Sequence, residues 1–491
     1  MPLTKIVAMK NKIMFIPKNF LNKKVVMMLT IFSGILMFTL LPVLSFASGS
    51  VGTGPSIGNI RIEFILFALV LIGVAIFHDK TFWVALIGLI VILLYKFIFT
   101  THFNFVEHFI GQTPFAEQLI DKESRSGEWG ILLNLLGLLL GFAILAKLFE
   151  ESGVPDILPN YLPDDWKGPF VLLIFVFILS TFLDNIAAAL IGGTIALVVF
   201  HKKVHIGYLA AIVAASNAGG SGSVVGDTTT TMMWIAGTNP IEVLHAFIAA
   251  GFAFLFFAWF ASFQQDKHQR IQKDASVGAK VDWGRVAIVG LILVGAILAN
   301  YFYDMPALGV WVALLIGAIF KKLPFNETKN AIKGTIFLLC LVTSASLMPV
   351  ETLPDASWMS AFILGFVSSV FDNIPLTKIC IDQGHYDWGM LAYTVGFGGS
   401  MIWFGSSAGV AITNKFPEGR NVMLWLRKGW HVAIGYIIGF FALLILFGWH
   451  PGSNRYHKEP AINCPVENCK VKLDAQADSI VKEQLKAGEV K

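Results

Sequence analysis

Charge is what this 491-residue sequence has least of: Asp, Glu, Lys and Arg make up 14% of it, against 56% hydrophobic residues. A soluble globular domain carries about 25% charged residues. The shortfall excludes a water-soluble fold with one oversized core. Cysteine is scarce too, at four residues. Cys340 and Cys380 lie in apolar segments and read as small hydrophobes, whereas Cys464 and Cys469 lie in a polar tail. That second pair is too few ligands for a metal, and forms a disulfide only if the tail is periplasmic. There is no nucleotide-binding or phosphorylation-type motif, so direct ATP drive has no support. There is also no basic patch interleaved with aromatics, and hence no pointer to nucleic acid.

Apolar runs supply what charge does not. Residues 64–77, 82–99, 241–263 and 431–447 are hydrophobic on every helical face, as helices in lipid or deep in a large bundle are. The class expected is an all-α polytopic membrane protein. Full crossings fit residues 60–77, 82–99, 131–149, 241–263, 286–302, 307–320, 336–350 and 431–449. Four further runs, 170–200, 206–236, 359–381 and 390–413, are apolar but interrupted. At the start, Lys5, Lys10, Lys12, Lys18, Lys23 and Lys24 precede the apolar run 25–46, and Ser45-Phe46-Ala47 is a small-x-small pattern. Residues 1–47 are therefore a signal peptide or a first transmembrane helix. Either reading puts Ser48 onward outside the cytoplasm.

Basic residues in short loops set the orientation. With the interruptions at Asp184 and Asp372 taken as hairpins that enter and leave on one side, eighteen Lys and Arg fall in inner loops. Only Arg61, Lys122 and Arg125 fall outside. Reading either interruption as a full crossing collapses this bias. The expected organisation is an N-terminal half over 48–263, a cytoplasmic linker over 264–285, a C-terminal half over 286–449 and a polar periplasmic tail over 450–491. The location expected is the cell inner membrane, crossed many times.

A duplication is the strongest signal. Ser180-Thr181-Phe182-Leu183-Asp184-Asn185-Ile186 matches Ser368-Ser369-Val370-Phe371-Asp372-Asn373-Ile374 in chemistry, position for position. Further on, Gly219-Gly220-Ser221 with Gly226 matches Gly398-Gly399-Ser400 with Gly405. Asp227-Thr228 stands where Ser406-Ser407 stands. The charge-derived topology brings the two hairpins in from opposite sides. The expectation is two inverted repeats, each with a re-entrant hairpin and a discontinuous helix, and a site near the midplane between them. Glycines let the chain leave helical geometry, and the freed backbone groups must then line a polar cavity rather than lipid.

Phe182-Leu183-Asp184-Asn185, the run Gly226-Asp227-Thr228-Thr229-Thr230-Thr231-Met232-Met233-Trp234-Ile235 and Phe371-Asp372-Asn373-Ile374-Pro375 resemble the NhaD-type sodium/proton antiporters. That family sits in an ion-transporter superfamily with arsenite and citrate/dicarboxylate carriers. The resemblance spans roughly residues 60–449, and the second half departs from it with Ser406-Ser407 in place of a second acidic pair. It implies a secondary transporter rather than an enzyme. Its expected cargo is Na⁺ or Li⁺ exchanged for H⁺, with no cofactor beyond the transported ions. It also implies a homodimer in the lipid bilayer.

The residues themselves carry the same chemistry. Asp184, Asp227 and Asp372 are expected within the membrane, where a central acid costs roughly 3 kcal/mol. Asp184 and Asp372 alternatively cap the return arms of their hairpins. Lys378 is the one intramembrane base near them, so acid is in excess, which suits a cation better than an anion. Its role is either a salt-bridge latch or snorkelling to the outer surface. Asn185, Asn373, Thr228, Thr229, Ser221, Ser400 and Ser407 offer hard oxygen ligands, with Asn217, Gly219, Gly220 and Ser406 supporting them at the breaks. Asn217 alternatively caps a half-helix, and the threonines alternatively satisfy backbone carbonyls. A desolvated carboxylate holds its proton more tightly and a bound cation expels it, so Na⁺ and H⁺ would exclude each other at Asp184, Asp227 and Asp372. Two rivals stand beside this reading. One is a Na⁺-coupled carrier of citrate, a dicarboxylate or arsenite. The other is an intramembrane aspartyl protease, although Ser223-Val224-Val225-Gly226-Asp227 lacks the Gly-x-Gly-Asp pattern.

Overall fold

The computed structural model describes residues 55–58, 60–77, 80–100, 103–272 and 280–452. The segment 1–47, the tail from 453 onward and most of the linker's centre lie outside the described residues, and with them Cys464 and Cys469.

The chain divides into two compact units, the smaller made of residues up to Ile65 together with Leu94–Phe103. In it, strands β1 (Ser56–Ile57) and β2 (Ile60–Arg61) pair antiparallel, with Ser56 opposite Arg61 and Ile57 opposite Ile60. Gly58 turns the chain between them at φ +62°. Glu63 is fully buried and is neutralised by two cations, Arg61 at 3.0 Å and Lys96 at 3.5 Å. A carboxylate out of water requires such partners.

The larger unit is helical. It holds most of α1 (Ile62–Ile76) and of α2 (Thr81–Phe99), then the short α3 (Phe105–Ile110) and α4 (Phe115–Ile120), and α5 (Trp129–Glu150) and α6 (Val154–Ile157). Next come α7 (Lys167–Ser180) and α8 (Asn185–Val199), then α9 (Ile206–Ser221) and α10 (Thr228–Ile235). Helices α11 (Pro240–Leu244) and α12 (Ala246–His268) lead to the pair α13 (Trp283–Tyr303) and α14 (Pro306–Phe320), and then to α15 (Glu327–Ser346). The second set of short helices is α16 (Trp358–Ser368), α17 (Asn373–Gln383), α18 (Trp388–Gly398) and α19 (Ser407–Lys415). Finally α20 (Val422–Lys428) leads to α21 (Trp430–Phe447). Among the described residues, five helical segments, at Thr81–Phe99, Trp129–Glu150, Pro240–His268, Trp283–Tyr303 and Trp430–Phe447, are long and apolar enough to cross a membrane. The molecule is an all-α multi-pass membrane protein.

Every interrupted run breaks where its polar or glycine residues fall. Helices α16, α17 and α18 have 11 residues each. At 1.5 Å per residue such a helix is about 16 Å long, half the hydrocarbon thickness of a bilayer. The duplicated sequence also builds the same close contacts twice. A methyl group on Gly219 would lie 2.0 Å from the Phe177 carbonyl oxygen, and one on Gly398 2.3 Å from that of Gly365. Phe177 stands seven residues before Asp184, as Gly365 does before Asp372. Likewise Gly220 meets the Gly226 carbonyl and Gly399 that of Gly405, at 2.8 and 2.7 Å from the corresponding methyl positions.

One boundary differs from expectation, and one pair of short helices was not expected. Helix α15 starts at Glu327 rather than at 336, because its first turns are polar and carry Lys329 and Lys333. The pair α3 and α4 is too short and too mixed to have shown a crossing pattern. Around the breaks, α7, α8, α9, α12 and α21 pack as one group, and α5, α13, α14 and α15 as another.

Candidate functional site

Four helix starts build the site. Asp184 caps α8, its Oδ2 accepting from the Ile186 amide at 3.2 Å, and Asp372 caps α17, its Oδ1 accepting from Ile374 at 3.0 Å. An Asp at such a start satisfies amides that have no intrahelical partner and meets the positive end of the helix dipole. The capping reading of these two residues therefore holds. It leaves each carboxylate a second oxygen. Asp227 begins α10 and Ser406 begins α19 in the same extended backbone, φ −143° and −139°. Only Ser406 caps through its side chain, accepting from Gly409 at 3.2 Å.

The Asp227 carboxylate, 2% exposed, is instead held by side chains. Asn185 Nδ2 donates to its Oδ1 at 2.8 Å and Thr229 donates its hydroxyl to Oδ2. Asn185 also donates to Asn217 Oδ1 at 3.0 Å, and Asn217 Nδ2 donates to Ser400 Oγ at 2.9 Å. One chain of hydrogen bonds thus runs from Asp227 in the first half to Ser400 in the second. Thr228 lies against Asp184 as Ser407 lies against Asp372, the latter donating at 3.3 Å. Asp184 and Asp227 are near enough to repel each other, as are Asp227 and Asp372. Among the described residues, however, no three His, Cys, Asp or Glu converge to hold a metal ion. A cation held here would therefore be held by carboxylates together with neutral oxygens. Asn373 is buried beside Asp372. The hydroxyls of Ser221, Thr230 and Thr231 go to backbone carbonyls.

A cavity of about 680 Å³ reaches Asp184, Asp372 and Ser407. Asn330 and Asn414 line it and are exposed, beside Lys329, Lys333 and Lys415. Among the described residues that line it there is no Lys, Arg or His. Asp227 is not part of the lining and is buried.

Lys378 is not at the acids. Its ammonium bonds Glu128 at 2.8 Å and Asp382 at 2.6 Å, and it neither reaches Asp372 nor snorkels, being fully buried. The sequence reading missed both partners. Asp382 lies four residues after Lys378, a spacing that pairs side chains on a helix and was there to be read. Glu128, 250 positions upstream, gave no such signal. His205 caps α9 with Nδ1 accepting from Gly207 at 3.2 Å.

Apolar helices interrupted by half-length ones, with three acids at the interruptions that form no ion pair among the described residues and a cavity that reaches two of them, define a multi-pass membrane transport protein. The chain belongs to the citrate transporter family CitMHS, which matches residues 83–398. Sodium/proton antiporter 1 of Arabidopsis thaliana is 26% identical over 330 residues, 58% of this chain and 56% of that protein. The Na⁺/H⁺ antiporter NhaD of Halomonas elongata is 26% identical over 376 residues, 63% of this chain and 75% of that protein. NhaD of Alkalimonas amylolytica is 26% identical over 316 residues, 53% and 65% respectively. The chain spans little more than half the length of the Arabidopsis protein.

Proposed function

We propose that this protein exchanges Na⁺ or Li⁺ for H⁺ across the inner membrane by alternating access, with Asp184, Asp227 and Asp372 as the exchanging carboxylates. The observation that carries the proposal is the charge balance at the breaks: three acids, no base beside them among the described residues, and Lys378 committed elsewhere. An intramembrane acid without a cation is expensive unless it takes up a proton or an ion. Asn185, Thr229, Asn217 and Ser400 supply neutral oxygens beside Asp227 and tie the second repeat to it through one short chain of hydrogen bonds. Relatives named as Na⁺/H⁺ antiporters support the same reading.

The architecture that serves this is a pair of inverted repeats, α7–α8 and α16–α17 being re-entrant hairpins and α9–α10 and α18–α19 broken helices. The repeated glycine contacts support the duplication, and the loop charges support the inversion. A cavity mouth beside Lys329, Lys333 and Lys415 then makes this the inward-facing state. A homodimer is the assembly proposed, tested by its mass in detergent.

Family membership favours a second reading, a citrate or other anion carrier. Against it, Asp184 and Asp372 occupy the helix starts where an anion's carboxylate would dock, and no cation lines the cavity. The deciding experiment uses proteoliposomes with an imposed proton gradient and a trapped pH dye. NaCl or LiCl should dissipate the gradient within seconds to minutes, and labelled citrate should not accumulate with a sodium gradient. Citrate uptake without gradient dissipation would replace this reading by the second.

A further inference from the structure

Helices α5 and α17 both run from the cavity to a second cluster of charges. Leu139, Phe142, Ala143 and Ala146 of α5 line the cavity, whereas Glu128 precedes the helix's other end, eleven residues before Leu139. Asp372 at the start of α17 touches the cavity, and Lys378 and Asp382 lie six and ten residues further along. At 1.5 Å per residue Lys378 lies about 9 Å and Asp382 about 15 Å along α17 from Asp372, and Glu128 about 16 Å along the chain axis from Leu139. At the far end Lys378, with its side chain 1% exposed, bonds Glu128, 15% exposed, and Asp382, 21% exposed. Asp382 is on the same helix as Lys378, so that pair joins nothing. The Glu128 bond is different, because it ties α17, which carries Asp372, to the start of α5. The other oxygen of Glu128, Oε2, is buried without a hydrogen-bond partner, so Lys378 is what holds this carboxylate in place.

We propose that the Glu128–Lys378 ion pair is the outer gate of the transporter, holding the face opposite the cavity closed while the cavity face is open. The proposal rests on the alternating-access reading above. The chemistry suits a gate. A lysine out of water must keep an acidic partner, and the pair breaks only when water reaches it. Asp382 gives Lys378 a partner to keep when Glu128 moves away, so α17 can part from α5 without leaving the buried lysine unpaired.

Cys380 is a built-in reporter, a free thiol 2% exposed on α17 between Lys378 and Asp382. The test labels it in right-side-out proteoliposomes with a membrane-impermeant charged methanethiosulfonate added outside. Cys340 is replaced by alanine, and Cys464 and Cys469 by serine. Glu128→Gln should raise the labelling rate at least tenfold. Asp382→Asn, which leaves the bond between the two helices, should change it less than twofold. The double swap Glu128→Lys with Lys378→Glu should restore the slow rate. If Glu128→Gln does not purify as folded protein, Glu128→Asp weakens the same bond by one methylene and should raise the rate in the same direction. A labelling rate unchanged in these folded variants overturns the gate, as does acceleration seen only from the inner face. Labelling needs no ion flux, so a gate that opens in a protein without sodium-driven proton movement would fault the antiport reading and not this one.

Discussion

At the scale of single residues, the three acids of the breaks stand in two kinds of surroundings. Asp184 and Asp372 cap helices and face the cavity, while Asp227 is buried and held by Asn185 and Thr229. Asn185 serves two acceptors, the Asp227 carboxylate and the Asn217 amide oxygen. Asn185→Ala removes a hydrogen bond to a charged group, worth about 1.5–3 kcal/mol. It should raise the Na⁺ half-saturation of exchange at least about tenfold, measured in the same proteoliposomes. His205 gives a prediction of the opposite kind. Burial, with repulsion from His268 and Lys428, holds its ring down at about 4 against an ordinary 6.5. It stays neutral through the physiological range, so His205→Asn, which keeps a capping acceptor, should leave the pH profile of exchange where it is. The sign for stability follows. As pH falls from 6.5 to about 4 the unfolded chain takes up this proton before the folded one. The wild-type protein should therefore lose thermal stability over that window, and His205→Asn should lose less.

At the scale of elements, the interruptions were legible because a polar or glycine-rich step inside an apolar run frees backbone groups that lipid cannot satisfy. Such a step marks a place where the helix ends against protein or a cavity. Asp184-Asn185, Asp372-Asn373 and the two Gly-Gly-Ser steps fall at helix ends within a residue or two of where the run breaks. The partners of Lys378 were not legible in the same way, since long-range pairing leaves no trace in local pattern. Nor were α3 and α4, whose six residues each are too few to show a period. The close backbone approaches at the breaks make a stability prediction. Gly219→Ala and Gly398→Ala would push a methyl group to 2.0 and 2.3 Å from a carbonyl oxygen that cannot move alone. Each should cost about 1–3 kcal/mol as overpacking. Gly290→Ala on α13, where a methyl group meets nothing within 4 Å, should be neutral or stabilising by up to about 1 kcal/mol. Thermal unfolding in detergent separates the two cases.

At the scale of the whole molecule, the low charge content, the apolar helices and the repeat were all readable from sequence, and they give the multi-pass helical fold. What the sequence left open was which partners surround each acid, because that depends on which half each oxygen reaches. The chain of bonds from Asp227 through Asn185 and Asn217 to Ser400 answers part of it, since it joins the two halves at one carboxylate. Competition at that carboxylate is the proposed source of coupling. It predicts that the Na⁺ half-saturation rises as pH falls, by up to about tenfold per unit in the range where the proton wins. The most direct test needs no membrane. Purified protein in a weakly buffered detergent solution with a pH dye receives NaCl, with choline chloride as the control. Competition predicts that Na⁺ releases protons from the native protein and that Asp227→Asn abolishes or sharply reduces the release. Release undiminished in folded Asp227→Asn, or sodium binding to the native protein without any proton release, would contradict it.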